Sequence, residues 1–146
     1  MKNSLTILSI CLLGLLITNS FTCRKDEYCK SGNHIAIKII NQSARDIRAH
    51  FYWNYPDTSI GAYNPLGATE SGIIKPGNSF DRSVGPTSCW ESYLKNGTKE
   101  WIYFFDNDSL KVIPWDTIRV TGRGLLERRL ISLEYLQENN FIVTYP

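Results

Sequence analysis

The sequence predicts a mainly β protein, an antiparallel β-sandwich of immunoglobulin-like or related kind with one or two short helices. Three observations predict it. Tyr, Trp, Ile and Thr are abundant while Met occurs once in 146 residues, a composition suited to pleated, half-buried surfaces. Apolar residues recur with period two in short runs, separated by turn formers about every 8–12 positions. No strand–helix–strand alternation appears, so antiparallel pairing is favoured over a doubly wound parallel sheet. A barrel-like or α+β arrangement is the alternative.

Taken along the chain, His34–Ile40 alternates, with Ile35, Ile37 and Ile39 on one face. Residues 41–46 break the run with turn formers, and Ile47, Ala49, Phe51 and Trp53 form a second stripe opposite Arg48, His50 and Tyr52. Two alternating runs about a short polar break predict an antiparallel pair. Residues 54–72 are dense in Pro, Gly, Asn, Asp and Ser, a long loop of the kind that is often functional or mobile. Within it Tyr55, Ile60, Tyr63 and Leu66 are candidates to pack down. Ile73-Ile74 is a short strand ending in the Pro76-Gly77 turn. Ser79–Val84 follows, with Phe80 and Arg82 opposite Asp81 and Ser83, and Gly85-Pro86-Thr87 ends it.

Ser88, with Glu91 three residues on, fits a capping box for a short helix whose Trp90, Tyr93 and Leu94 share one side. Asn96-Gly97 stops it. Thr98–Phe105 is apolar on both faces, which predicts a central strand buried on each side or one edge of an aromatic patch. Asp106-Asn107-Asp108 reads as a hairpin turn and Leu110–Ile113 as a short strand stopped by Pro114. Leu125–Ile131 reads as a strand with Glu127 and Arg129 outward. Ser132 caps a helix of about two turns ending at Asn139, and Phe141–Tyr145 closes as the last strand.

The length suits one domain, and heptads or low-complexity runs are absent. Lys+Arg 16 against Asp+Glu 14 is too even for a broad phosphate-binding face, so no nucleic-acid partner is expected.

Behind Lys2, Leu5–Ile17 is apolar apart from Thr6, Ser9 and Gly14. A membrane-spanning helix needs ~20 such residues, and this run has the length of a signal-peptide core. Ser20-Phe21-Thr22-Cys23 then resembles the relaxed lipoprotein processing box of Bacteroidetes, with Ser20 in place of the commoner Leu and Thr22 in place of Gly, Ala or Ser. The resemblance implies cleavage before Cys23, a diacylglycerol on its thiol and a further acyl chain, such as palmitate, on the new amine. At ~0.8 kcal/mol per buried CH₂, two or more chains give a stable hold on membrane lipid. Plain secretion after cleavage near Ser20 or Thr22 is the alternative. Arg24-Lys25-Asp26-Glu27 resembles the surface-export signal of the same lipoproteins, and as a bland alternative is a solvated charge cluster.

The stretch from Thr117 to Pro146, the early Ile39-Ile40-Asn41-x-Ser43 and the step Ile74-Lys75-Pro76-Gly77 are similar to small Bacteroidetes surface lipoproteins. This likeness spans the chain loosely, implies fold and location, and carries no catalytic residue. The organisation expected is a lipoprotein signal peptide over 1–22, a lipidated tether over 23–33 and a single β-rich domain over 34–146. The expected location is the bacterial outer membrane, lipid-anchored at the cell surface, with a periplasmic or secreted protein as the alternative.

Of four cysteines, Cys11 falls in the signal peptide and Cys23 at the processing site, leaving Cys29 and Cys89. An even pair in an oxidising compartment suggests a disulfide, and two structural thiols are the alternative. If bonded, they close a loop of about 60 residues, for which chain entropy gives about 4 kcal/mol.

Chemistry is sparse. His34 and His50 are the only histidines, too few for a metal site of ordinary spacing, and no phosphate loop, dinucleotide fingerprint, zinc-protease motif or nucleophile elbow occurs. Glu91, Glu100 and Asp106 could supply a glycosidase pair, but acid pairs are cheap in any chain of this composition. Enzymatic activity and a cofactor are not expected.

The one excess is aromatic: four Trp, eight Tyr and six Phe. Most are expected to fill the core; Trp90 and Trp115, beside turn residues, are the candidates to bind a glycan or protein partner, whereas Trp53 and Trp101 are expected to be buried. Asp108-Ser109-Leu110 and Asp116-Thr117-Ile118 resemble three-residue O-glycosylation sites of exported Bacteroidetes proteins, with Ser109 and Thr117 as acceptors. The function expected is a surface-exposed, non-enzymatic binding module. A structural envelope component without a small-molecule ligand, or a plain secreted β-domain, is the alternative.

Overall fold

Alternation drives the first two strands. In β1 (Ala36–Asn41) Ile37 and Ile39 are fully buried, and in β2 (Ile47–Tyr52) Ile47, Ala49 and Phe51 are buried. The computed structural model describes Cys29 and residues 33–68, 72–85 and 88–146. The expected signal peptide over 1–22, with Cys11, and also Cys23 and the charged cluster at 24–27 lie outside the described residues.

The chain continues through β3 (Ile73–Ile74), β4 (Ser79–Ser83), α1 (Trp90–Tyr93), β5 (Glu100–Asp106), α2 (Asn107–Val112), α3 (Trp115–Thr121), β6 (Leu125–Ile131), α4 (Leu133–Glu138) and β7 (Ile142–Tyr145). The protein is mainly β, and among the described residues the strands lie in two sheets rather than one closed barrel. One has three strands in the order β4-β1-β7 and the other four in the order β3-β2-β5-β6. All pairs are antiparallel except β1 with β7, which run parallel. The described residues contain four short α-helices, more than the one or two expected.

The expected β1–β2 pair does not form: the two strands belong to different sheets. Asn41 supplies the reason. Its fully buried amide donates to the carbonyls of Arg45 (2.8 Å) and Ile74 (2.7 Å), and its Oδ1 accepts from Ser43 N (3.0 Å) and Ser43 Oγ (2.7 Å). With both ends of the amide satisfied, residues 41–46 form a corner that carries the chain between sheets instead of a hairpin.

Ile37, Ile39 and Val143 from one sheet share a core with Ile47, Phe51, Ile102, Phe104 and Ile131 from the other, joined by Trp90, Leu94 and Leu136. A second, smaller cluster covers the far face of β5: Tyr103 and Phe105 pack with Tyr52, Ile60, Leu110 and Ile118. Thus β5, hydrogen-bonded to β2 and β6, is the central strand, buried on each side.

Three further expectations are corrected. Leu110–Ile113 is not a strand: Asp106 accepts from Ser109 N (3.0 Å) and Ser109 Oγ (2.6 Å), so the supposed hairpin turn is an N-cap and α2 follows it. Cys89, not Ser88, holds the N-cap position of α1, and its side chain makes no capping hydrogen bond. Glu127 and Arg129 do not point outward; both are half-buried, paired to each other, with the Arg129 guanidinium 5.6 Å from the Phe104 ring centre and donating to the Thr144 carbonyl. The Ser132 cap, donated to by Tyr135 N at 3.2 Å, and the closing strand form where expected.

Candidate functional site

The 53–68 loop is held down by its own carbonyls. Tyr103 Oη donates to Thr58 O (3.0 Å), Arg128 to the same oxygen (2.9 Å), Tyr52 Oη to Tyr63 O (2.9 Å) and Trp115 Nε1 to Ala62 O (3.0 Å). Backbone oxygens that would otherwise need water are received by side chains of the sheet and α3. Ile60 and Pro65 are buried, whereas Tyr55, Tyr63 and Leu66 remain exposed. Gly61 is required here, because a Cβ at that position would lie 2.5 Å from the Tyr52 ring.

These contacts place the candidate aromatics. Trp90 is fully buried, its Nε1 donating to Arg82 O at 3.0 Å, so it is a core residue and cannot present a face to a ligand. Trp115 is half-buried, edge-on to Phe105 at 5.7 Å, with its ring nitrogen holding the loop. Trp101 is half-buried. Trp53, expected inside, is 53% exposed.

Trp53 follows the last residue of β2, where the sheet no longer covers it, and rests edge-on against Tyr93 at 4.8 Å. It forms a wall common to two open clefts. The larger, about 500 Å³, has Ile35, Phe80, Asp81 and Arg82 among its walls. The smaller, about 380 Å³, lies between Trp53, His50, Tyr52 and Tyr63. Tyr63 is 70% exposed, and the His50 ring sits edge-on to Tyr52 at 4.5 Å. The site therefore offers exposed ring faces next to a carboxylate, a guanidinium and an imidazole.

Of these walls Arg82 is itself buried, and a second buried polar group, Glu100, lies outside both cleft linings. The Arg82 guanidinium lies 5.4 Å from the Phe51 ring centre. Glu100, almost wholly buried, accepts from Tyr93 Oη at 2.7 Å. Burial pushes the Glu100 carboxyl up to about 7, although the Tyr93 hydroxyl and the Arg82 charge pull it down. Burial also raises Tyr93 and Tyr52 above the ordinary phenol range.

The carboxylates weighed for hydrolysis are not assembled. Glu100 and Asp106 occupy opposite ends of β5, about 20 Å apart at strand rise, while Glu91 binds His34 Nδ1 at 2.7 Å. Ser109 and Thr117 sit half-buried in α2 and α3, with the Ser109 hydroxyl donated to Asp106. Cys29 and Cys89 are not covalently joined, but their side chains are hydrogen-bonded. Among the described residues no group of three or more His, Cys, Asp or Glu is arranged to hold a metal, and no helix is long and apolar enough to cross a membrane.

Period-two alternation places Trp53 inside, but β2 ends at Tyr52, one residue before it. The signal is in the sequence: Asn54-Tyr55-Pro56 follows at once, the same adjacency to turn residues that marks Trp90 and Trp115. Compared with known proteins, the chain matches no family model, no curated protein and no solved structure.

Proposed function

We propose that this is a lipid-anchored outer-membrane protein whose β-rich domain is a non-enzymatic binding module for a glycan. Its two sheets are read as a sandwich of immunoglobulin-like or related kind, and Cys23 as the acylated residue that holds it at the cell surface. The observation that carries the binding reading is the 53% exposed Trp53 ring shared by both clefts. Such a ring, flanked by Tyr63, His50, Asp81 and Arg82, suits a sugar, whose apolar face stacks on an aromatic while its hydroxyls bond polar neighbours.

The test is a glycan panel probed with the full chain and with Trp53→Ala. Loss of a stacking anchor is expected to weaken binding about tenfold, equivalent to ~1.4 kcal/mol, while Val120→Ala, at an exposed position of α3 outside both clefts, leaves affinity within about twofold. Binding unchanged by Trp53→Ala, or a chain that binds a protein partner and no glycan, overturns the reading. The anchor is tested separately by palmitate labelling in a bacterial host, where Cys23→Ser is expected to abolish incorporation.

A further inference from the structure

The segment leading into β1 is attached to α1 at several points. His34 O accepts from Trp90 N at 2.9 Å, and His34 N donates to both carboxylate oxygens of Glu91 at 2.9 and 3.0 Å. The His34 ring stacks on Phe141 at 3.6 Å. One step further toward the N-terminus, Asn33 Nδ2 donates to Cys89 Sγ at 3.5 Å, and the Cys29 and Cys89 side chains are hydrogen-bonded. Cys89 is fully buried at the N-cap of α1, whereas Cys29 is half-exposed. The pair thus consists of one half-exposed cysteine and one shielded cysteine in contact with it.

We propose that Cys29 and Cys89 are a redox clamp: an external disulfide, of the glutathione or protein-disulfide class, closes them into an intramolecular disulfide that fastens the N-terminal segment to the domain. The half-exposed Cys29 thiolate attacks one sulfur of the external disulfide, whose S–S bond breaks and releases one thiolate. The Cys89 thiolate then attacks the Cys29 sulfur and expels the second. The protein loses two electrons and two protons, and the external disulfide leaves as two thiols. Burial, with the neighbouring Cys89 and Glu91, pushes the Cys29 thiol up to about 11, so little of it is thiolate near neutral pH and the exchange is expected to quicken as pH rises. The clamp is independent of the glycan reading. The two meet at Ile35, which adjoins the fastened His34 and walls the larger cleft.

The test treats the folded full chain with oxidised glutathione, blocks remaining thiols with iodoacetamide and maps the peptides without reduction. One cross-linked species joining the Cys29 and Cys89 peptides is expected, together with a thermal midpoint that rises on oxidation and falls back with dithiothreitol. Because substitution of the buried Cys89 can unfold the domain, the variant used is Cys29→Ser, which is expected to remain folded, to lose the cross-link and to lose the oxidant-dependent rise. Recovery of both cysteines as alkylated peptides overturns the proposal. So does a lasting glutathione adduct on Cys29, a dominant cross-link to Cys11 or Cys23, or an undiminished rise in Cys29→Ser.

Discussion

On one face of β5, Ile102 and Phe104 meet side chains of the opposite sheet; on the other, Tyr103 and Phe105 meet Leu110 of α2, Ile118 of α3 and Ile60 of the long loop. The first face is closed by strands that are themselves held in ladders. The second is closed by two helices of six and seven residues and a loop tied down by donors from Tyr103, Tyr52, Trp115 and Arg128. Helices this short have little stability of their own, so their order derives from what they bury. Equal apolarity on the two faces of one strand therefore need not mean equal resistance to opening.

Phe104→Ala and Phe105→Ala break the comparison most directly. Both rings are fully buried, and each truncation is expected to cost about 3–5 kcal/mol. Their reach should differ. Phe104 stacks on Tyr145 of β7 at 5.0 Å and lies under Arg129, so its loss loosens the contact between sheets and lowers hydrogen-exchange protection throughout. Phe105→Ala is expected to expose amides of α2, α3 and residues 54–68 well before those of β1 and β7. Indistinguishable exchange patterns in the two variants would show that the clusters open as one unit.

Glu100 tests the first face by pH. Its carboxyl is raised from 4.5 to about 7, so between those values the folded chain holds a proton that the unfolded chain has released. Stability is therefore full below about pH 4.5, declines as pH rises toward 7 and levels off above it, a total on the order of 3 kcal/mol. Other groups add their own slopes, so the informative measurement is the difference between the parent and Glu100→Gln in urea unfolding at pH 5 and pH 8. Glutamine is expected to remove this part of the decline. Equal declines in the two chains would mean that Glu100 is not the group responsible.

The two faces also differ in how far the sequence disclosed them. Alternation in β1 and β2 announced the first core, because a residue such as Ile39 is dictated by period alone, and the unbroken apolar run of β5 announced a strand buried on each side. Partner choice was not disclosed: the corner at Asn41 depends on the Ile74 carbonyl, 33 residues away, which no local pattern contains. On the second face, Leu110-Lys111-Val112-Ile113 has strand-like composition, and only the bond from Ser109 N to Asp106 decides for helix. Trp53 failed for a related reason. Alternation states which side of a strand a residue occupies, but not where the opposing layer ends. The site was therefore legible as an aromatic excess and illegible as a place.

Asp106→Ala is the smallest and most local of these tests. Asp106 accepts two hydrogen bonds from Ser109 at the start of α2, and alanine removes both, leaving Ser109 N without its cap. The expected cost is about 1 kcal/mol, within the ~0.5–2 kcal/mol range for lost caps. Asp106→Asn retains an acceptor oxygen and is expected to cost less. Because α2 contributes Leu110 to the second cluster only, the lost protection should appear in α2 and the loop it covers, while amides of β1 and β7 keep theirs. Urea unfolding gives the magnitude and hydrogen exchange gives the location. A loss as large as that of Phe104→Ala, spread over both sheets, would mean that the capped helix supports the whole fold rather than one side of β5.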